Sequence, residues 1–160
     1  MGRTKFAELE NNTKSGHFLT GYDDLYLYGS PGAGKSHILA ALVCKLIREG
    51  KRVVYIPNCH DLLQDFRWSM ELALCCAFYD DPESLRAIQS APGVEYLLSF
   101  WRNTGDKYLV VDQLNALETA SNSSFFDNER RWLNKLKDMH CYIYGASANE
   151  MSDRDVETSA

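Results

Sequence analysis

The segment Gly29–Ser36 carries the residues best suited to chemistry in this sequence. It reads Gly-Ser-Pro-Gly-Ala-Gly-Lys-Ser and fits the pattern G-x-x-x-x-G-K-S/T at each fixed position. Gly32 and Gly34 permit backbone angles that a Cβ would block, so successive N–H groups form a concave nest for an anion. Lys35 adds a cation that reaches the β- and γ-phosphates of a nucleotide, and the Ser36 hydroxyl is a ligand for Mg²⁺. The segment therefore predicts a phosphate-binding loop.

The residues on either side of this loop supply the context that the pattern needs. Residues 24–28 form a short apolar, aromatic run that stops at Gly29, as a buried strand would. A helical period begins at Lys35, so the N-terminus of that helix would point at the phosphates. A glycine-rich turn without a ligand is the alternative. The predicted nucleotide contacts are Gly29, Ser30, Pro31, Gly32, Ala33, Gly34, Lys35, Ser36 and His37.

A second acidic group is expected at Asp112, which ends the apolar run 108–111. Ligands of open α/β sheets lie at the carboxyl ends of the strands, so Asp112 and Gly29 should converge. Asp112 and Ser36 are then the predicted Mg²⁺ ligands, as in the Walker motifs of P-loop NTPases. The alternative is a strand-end aspartate that caps a turn.

The residues that would orient the attacking water are less sharply defined. Gln113 stands where many ATP hydrolases of this class carry Glu, and a glutamine positions water without accepting its proton. Glu118 is an alternative base. Ser147 and Asn149 follow the last apolar run, where additional-strand ATPases place a polar residue near the γ-phosphate; a plain strand-end turn is equally open there. The predicted catalytic set is Lys35, Asp112, Gln113 and Asn149.

The hydrophobic pattern predicts the elements that must position these residues. Short apolar runs at 24–28, 52–56, 108–112 and 141–146 predict strands, and periodic segments at 35–49 and 125–139 predict helices. Residues 60–104 are expected to form two or three helical pieces. Strand, glycine-rich turn, helix and strand make a βαβ unit. The predicted fold is a three-layer α/β/α P-loop NTPase with a mostly parallel sheet, truncated to four strands.

The pattern also predicts which large side chains form the core. One face of the first helix is apolar, and Trp68 and Trp101 are expected to be core anchors rather than base-stacking platforms. The 5 cysteines are expected to be buried thiols in a reducing compartment, because they lack the spacing of a metal site. The apolar face consists of Ile38, Leu39, Leu42, Val43, Leu46 and Ile47.

Composition limits the partners of the chain. The net charge of −5 and the pI near 5.3 argue against nucleic acid as the main partner. A basic cluster of Arg130, Arg131, Lys135 and Lys137 is expected to be a solvated helix face. Neither a signal peptide nor a membrane-spanning run is visible, so an intracellular location in cytoplasm or nucleus is expected. The predicted organisation is a polar lead-in at 1–22, an NTPase core at 23–150 and a disordered tail at 151–160.

Leu27–Asn149, about three quarters of the chain, resembles the NTPase domain of Crinkler-type effector proteins, including the Crinkler-like family of fungi. Residues 25–59, 108–118 and 144–149 carry the resemblance, and the string Asp112–Leu117 is its most distinctive part because Gln replaces the expected Glu. The resemblance implies an additional-strand P-loop fold related to the AAA+ and STAND ATPases. It also implies a larger parent protein with flanking targeting and effector modules. No Leu-Phe-Leu-Ala-Lys-like element occurs near the start, and nothing nuclease-like follows residue 150.

Two functions of different classes remain open. The first is a Mg²⁺-dependent ATPase, with charge stabilisation from Arg130, Arg131, Arg154 or a neighbouring subunit. The second is a nucleotide-dependent switch or scaffold that hydrolyses little, which Gln113 favours. A small-molecule kinase and a nucleic-acid motor are weaker alternatives. ATP is expected over GTP because the guanine-specifying N-K-x-D pattern fails at Lys137.

Overall fold

The fold is described from a computed structural model of the chain. The structure describes residues 25–30, 32–105, 107–116, 127–137 and 141–147. The predicted lead-in at 1–22 and tail at 151–160 lie outside these ranges, so both stay predictions.

Within the described ranges, four parallel strands form one sheet in the order β1-β4-β3-β2. Because the strands are parallel, their carboxyl ends meet at one edge of the sheet, where βαβ proteins bind ligands. β4 lies between β1 and β3, so an additional strand separates the glycine-rich loop from the strand that precedes Asp112. The parallel α/β architecture predicted from the sequence is confirmed. The strands are β1 (Leu25–Gly29), β2 (Arg52–Ile56), β3 (Lys107–Val111) and β4 (Cys141–Ser147).

Six helices lie in the described ranges: α1 (Lys35–Arg48), α2 (Cys59–Gln64), α3 (Phe66–Ala77), α4 (Pro82–Gln89), α5 (Val94–Asn103) and α6 (Asp127–Lys137). Within those ranges, every helix is too short or too polar to span a bilayer.

The region 60–104 contains four helices, so the prediction of two or three pieces was wrong. Polar N-cap residues begin new helices at positions where the hydrophobic periodicity of the sequence continues without a break. Asn58 caps α2 by accepting from the N–H of His60, and Asp65 caps α3 by accepting from the N–H of Trp68. Asp81 caps α4 in the same way. Each cap satisfies N–H groups that a longer helix would have bonded internally.

The two faces of the sheet bury separate apolar clusters. Val53, Val110 and Ile143 face α1 and its buried leucines. Val54 and Val111 belong to the larger cluster on the opposite face, which also contains residues of α3 and α5. Neighbouring residues of a strand point to opposite faces, so one helix layer covers each side. This is the three-layer arrangement that the sequence predicts.

Several predicted core side chains lie at the surface. Trp101 is 1% exposed, as predicted, but Trp68 is 58% and Ile47 46% exposed. Of the cysteines in the described ranges, Cys44 and Cys76 are exposed, which contradicts the prediction of uniformly buried thiols. The physical reason is position: Ile47, Trp68 and Cys76 lie beside β2, which has no further strand next to it within the described part of the chain.

Lys107, the first residue of β3, is a charged group inside the core. It is 4% exposed, and its Nζ lies 4.3 Å from the centroid of the Trp101 ring. Nζ has no hydrogen-bond partner within the described part of the chain. Burial lowers the pKa of Lys107 from 10.5 to about 8, because the charged form loses its hydration. The ring face compensates part of that loss.

Replacing Lys107 with Met should stabilise the fold at neutral pH by on the order of 1 kcal/mol, since the apolar stem stays and the buried charge goes. The unfolded chain keeps the Lys107 proton up to about pH 10.5, whereas the folded chain releases it above about pH 8. The wild type should therefore gain stability relative to Lys107→Met as pH rises through that window. Urea unfolding at several pH values measures this, with the exposed Lys51→Met as control. If the difference in unfolding free energy between the wild type and Lys107→Met did not change with pH, the lowered pKa of Lys107 would be contradicted.

Candidate functional site

The loop between β1 and α1 has the conformation that its glycines predict. Gly32 and Gly34 have φ of 74° and 79°, in the left-handed region. A Cβ built on either residue would meet no atom within 4 Å, so backbone conformation and not crowding demands glycine there. Gly34 is also the N-cap of α1 and has no side chain to occupy the first-turn N–H groups. Those donors are left to face the space above the loop.

Lys35 is folded back against the loop that precedes it. Its side chain is buried at 9% exposure, and Nζ donates a 2.7 Å hydrogen bond to the Ser30 carbonyl oxygen. The N–H of Ala33 donates to the same carbonyl at 3.2 Å. The ammonium is thus held at the rim of the loop, while Ser36 and His37 are exposed beside it.

Asp112 follows β3 directly and is oriented by its own neighbours. It is 3% exposed, and its N–H donates a 2.9 Å bond to the Ile56 carbonyl, which continues the β2–β3 ladder by one residue. Its Oδ1 accepts the N–H of Gln113 at 2.8 Å. One carboxylate oxygen is therefore committed to the turn, which fixes the direction of the other.

Gln113 holds a strained backbone conformation. Among the described residues other than glycine, it alone has a positive φ, at 58°. Such a conformation costs roughly 1–2 kcal/mol and persists where surrounding bonds enforce it. Here the N–H of Leu114 donates to the Gly145 carbonyl at 3.0 Å, and the N–H of Ala116 donates to the Gln113 carbonyl at 3.0 Å. The turn directs the exposed Gln113 side chain to the carboxyl edge of the sheet.

These groups line one cleft of about 460 Å³ at that edge. It brings together predicted residues from both motifs and adds Asn115, which the sequence analysis did not assign. Asn115 lies on the turn that follows Gln113, and its one sequence signal was a polar residue inside the distinctive string after Asp112. The lining residues are Gly32, Gly34, Lys35, Ser36, His37, Asp112, Gln113 and Asn115.

Other predicted residues lie near the cleft or outside the described ranges. Gly29 pairs in register with Ser147, so the backbone of Ser147 is level with the start of the loop. Ser30 and Ala33 belong to the loop itself and are exposed. Pro31, Glu118, Asn149 and Arg154 lie outside the described residues.

The basic cluster of α6 is described in part. Lys135 forms a 3.0 Å ion pair with Glu95 of α5, and Glu95 also accepts from the indole N–H of Trp132. Arg131 is exposed. Lys135 therefore helps to hold α6 against α5.

The donor set fits a nucleotide phosphate chain with Mg²⁺. Glycine N–H groups and one ammonium suit the anion, and a serine hydroxyl with a buried carboxylate suits a hard cation that keeps part of its water. The cradle above Gly32 and Gly34 is free of protein atoms at the Cβ positions. The glycine-rich loop between β1 and α1, at the carboxyl edge of a parallel sheet with helices on both faces, makes this a three-layer α/β/α P-loop fold.

Gly145 lets the neighbouring strand approach the carboxylate closely. A Cβ at Gly145 would lie 2.8 Å from Leu39 Cδ1 and 3.3 Å from Asp112 Oδ1. Leu39 is fully buried, so it has little room to move. No local sequence pattern marks Gly145, because the close approach depends on β4 lying beside β3.

Comparison with known proteins finds distant structural likenesses. No protein-family model matches the sequence, and no curated protein matches it. AMPPCP-bound DnaA from Aquifex aeolicus is similar at a TM-score of 0.48 and 17% identity, over 97% of this chain and 43% of that one. A DNA replication initiation factor is similar at 0.44 and 17%, over 95% and 42%. The chain thus spans less than half the length of either structure.

Replacing Gly145 with Ala should destabilise the fold by about 1–3 kcal/mol, because the added methyl overpacks against Leu39. It should also displace the Asp112 carboxylate and weaken Mg²⁺-dependent nucleotide binding. Thermal unfolding and nucleotide titration measure the two effects. Gly105→Ala is the matched control, since a Cβ there meets nothing within 4 Å. If Gly145→Ala had the same thermal stability and nucleotide affinity as this control, the close approach of β4 to Asp112 would have no effect on either property.

Proposed function

We propose that the chain binds Mg²⁺·ATP in the cleft above Gly29–Ser36 and hydrolyses it slowly. The observation that carries this proposal is a single cleft containing Lys35 and Ser36 from one motif and Asp112 and Gln113 from another. The two motifs are far apart in the sequence and follow strands that flank β4, and the parallel sheet brings both to its carboxyl edge. A glycine-rich turn without a ligand gives no reason for a buried carboxylate to face it.

In this proposal the loop recognises the phosphates through its backbone. The N–H groups at Gly32 and Gly34 and the first turn of α1 supply fixed donors and the positive end of the helix dipole. Lys35 exchanges its bond to the Ser30 carbonyl for phosphate oxygens. The ammonium already lies at the rim of the loop, so this exchange needs a small movement of the side-chain end.

Ser36 and Asp112 would hold Mg²⁺. When bound there, the ion would supply neutralisation of the negative charge on the phosphates. The chain contributes the orientation: the bond from the Gln113 N–H fixes Asp112, and Gly145 leaves the space that the carboxylate needs. His37 and Asn115 line the same cleft and are proposed to contact the nucleotide.

Gln113 is proposed to orient the attacking water through its side-chain amide. A glutamine donates and accepts hydrogen bonds but does not remove the proton, which supports slow rather than fast hydrolysis. Ser147, the last residue of β4, or Asn149, two residues further along the chain, would add a polar contact near the γ-phosphate. Glu118 is the alternative base.

Gln113 also favours a second candidate, a nucleotide-dependent switch with little or no hydrolysis. Both candidates share the binding site and differ in turnover. ATP is proposed over GTP because the guanine-specifying sequence pattern is missing. We further propose that the chain is the NTPase domain of a Crinkler-like intracellular protein related to AAA+ and STAND ATPases, on the strength of the string Asp112–Leu117.

Single-turnover hydrolysis of ATP with Mg²⁺ tests the proposal. Lys35→Ala should lower the rate by on the order of a hundredfold or more, because the γ-phosphate loses its cation. Lys51→Ala, on the surface beyond α1, is the matched control and should leave the rate unchanged. Binding of a fluorescent ATP analogue to the same samples separates the two candidates, since a switch binds ATP without turnover. A chain that neither binds nor hydrolyses ATP refutes both.

Replacing Gln113 with Glu should raise the single-turnover rate by on the order of tenfold to a hundredfold, because the carboxylate accepts a proton from water. Gln and Glu have the same reach, so the strained backbone is unaffected. Gln113→Ala should lower the rate instead. Equal rates for all three proteins would exclude residue 113 from water positioning.

A further inference from the structure

A second cleft, apolar and about 370 Å³ in volume, lies along β2 and shares no lining residue with the cleft at the glycine-rich loop. We call it the edge groove. Its lining comes mainly from α1, β2 and α3 and includes Val43, Ile47, Val53, Tyr55, Trp68 and Leu72. Trp68 and Leu72 are 58% and 49% exposed, one helical turn apart on α3. Large apolar side chains thus surround an edge strand.

The backbone of β2 is available for pairing along the edge groove. The Ile56 carbonyl accepts from Asp112, so Ile56 faces β3. Backbone groups of a strand alternate in direction, so those of Val53 and Tyr55 face outward. Within the part of the chain that the structure describes, no strand pairs with that side. Such an edge pairs readily with an extended chain.

The two ends of the edge groove carry opposite charges. Arg48 and Lys51, both exposed, lie where β2 begins. Asp61, also exposed, belongs to the lining at the end where β2 stops. Two carboxylates also lie near the basic end, but each is engaged by a cation: Glu49 by Lys45 at 3.5 Å, and Asp80 by Arg52, the first residue of β2. The edge therefore runs from positive to negative along the strand direction.

We infer that the occupant of the edge groove is a second copy of this chain, paired antiparallel through β2 about a two-fold axis. In that arrangement the basic end of each copy meets the acidic end of the other, whereas a parallel pairing would oppose like charges. Trp68, Leu72 and Ile47 pack against their counterparts. A two-fold contact is self-complementary and closed, so it gives a dimer and not a filament. The two four-stranded sheets become one continuous sheet.

The oligomeric state of the full chain in solution tests this inference. Sedimentation equilibrium over a wide concentration range should show a monomer–dimer equilibrium. Leu72→Glu buries a charge in the contact and should raise the dimer dissociation constant at least on the order of tenfold. Tyr96→Glu, on α5, is the matched control, because Tyr96 is 44% exposed and lies outside the edge groove. Circular dichroism confirms that each variant is folded.

A charge exchange tests the antiparallel orientation separately. Asp61→Lys and Lys51→Glu should each weaken the dimer, and the double variant should recover much of the loss because the reversed ends again meet opposite charges. A monomer at every concentration overturns the inference, as does a dimer that Leu72→Glu leaves intact. If the losses of dimer affinity in the two single variants were additive in the double variant, the antiparallel pairing would be overturned.

Discussion

The hydrogen-bond ladder on both sides of β3 is the constraint on which the rest of the structure depends. Leu109, Val110 and Val111 are fully buried between β2 and β4, so this strand has one possible depth and register. The ladder continues past the strand, since the Asp112 N–H still bonds to Ile56. A slip by one residue would turn each side chain to the other face. Main-chain hydrogen bonds therefore fix the position of Asp112 at the cleft, and the carboxylate is held there by the backbone.

Two exceptions to ordinary backbone and packing preferences surround that carboxylate. Gln113 has a left-handed conformation, and Gly145 leaves a space where a methyl group would collide with Leu39. The bond from Leu114 to the Gly145 carbonyl joins the two, so the turn after β3 is tied to β4. Strain and close approach at the same carboxylate hold it rigidly in one orientation.

Local patterns made the strands, the backbone conformation of the glycine-rich loop and the strand-end position of Asp112 predictable, because each depends on a few adjacent residues. Features that depend on tertiary neighbours were not. Ile47 has the periodicity of a core residue, whereas Trp68 lies two residues away from the buried positions Phe66 and Met70 and so points to another side of its helix. Both side chains lie beside β2, the edge strand of the sheet within the described part of the chain. The number of helices in 60–104 depended on caps such as Asp65, which resemble ordinary surface aspartates in sequence. Asn115 and Gly145 gain their significance from strands that lie far away along the chain.

The conformation of Gln113 also restricts which residues selection or a mutant library would accept at that position. β-branched residues would be rejected because they are strongly disfavoured at a positive φ, whatever the chemistry of their side chains. Glycine and asparagine adopt a positive φ readily. However, glycine has no side chain, and the asparagine side chain is shorter than that of glutamine. The survivors would be unbranched side chains long enough to reach the cleft, a group that includes the amide present and its isosteric acid. The set of substitutions accepted at residue 113 should therefore depend on the backbone geometry of the turn as much as on the chemistry of the side chain.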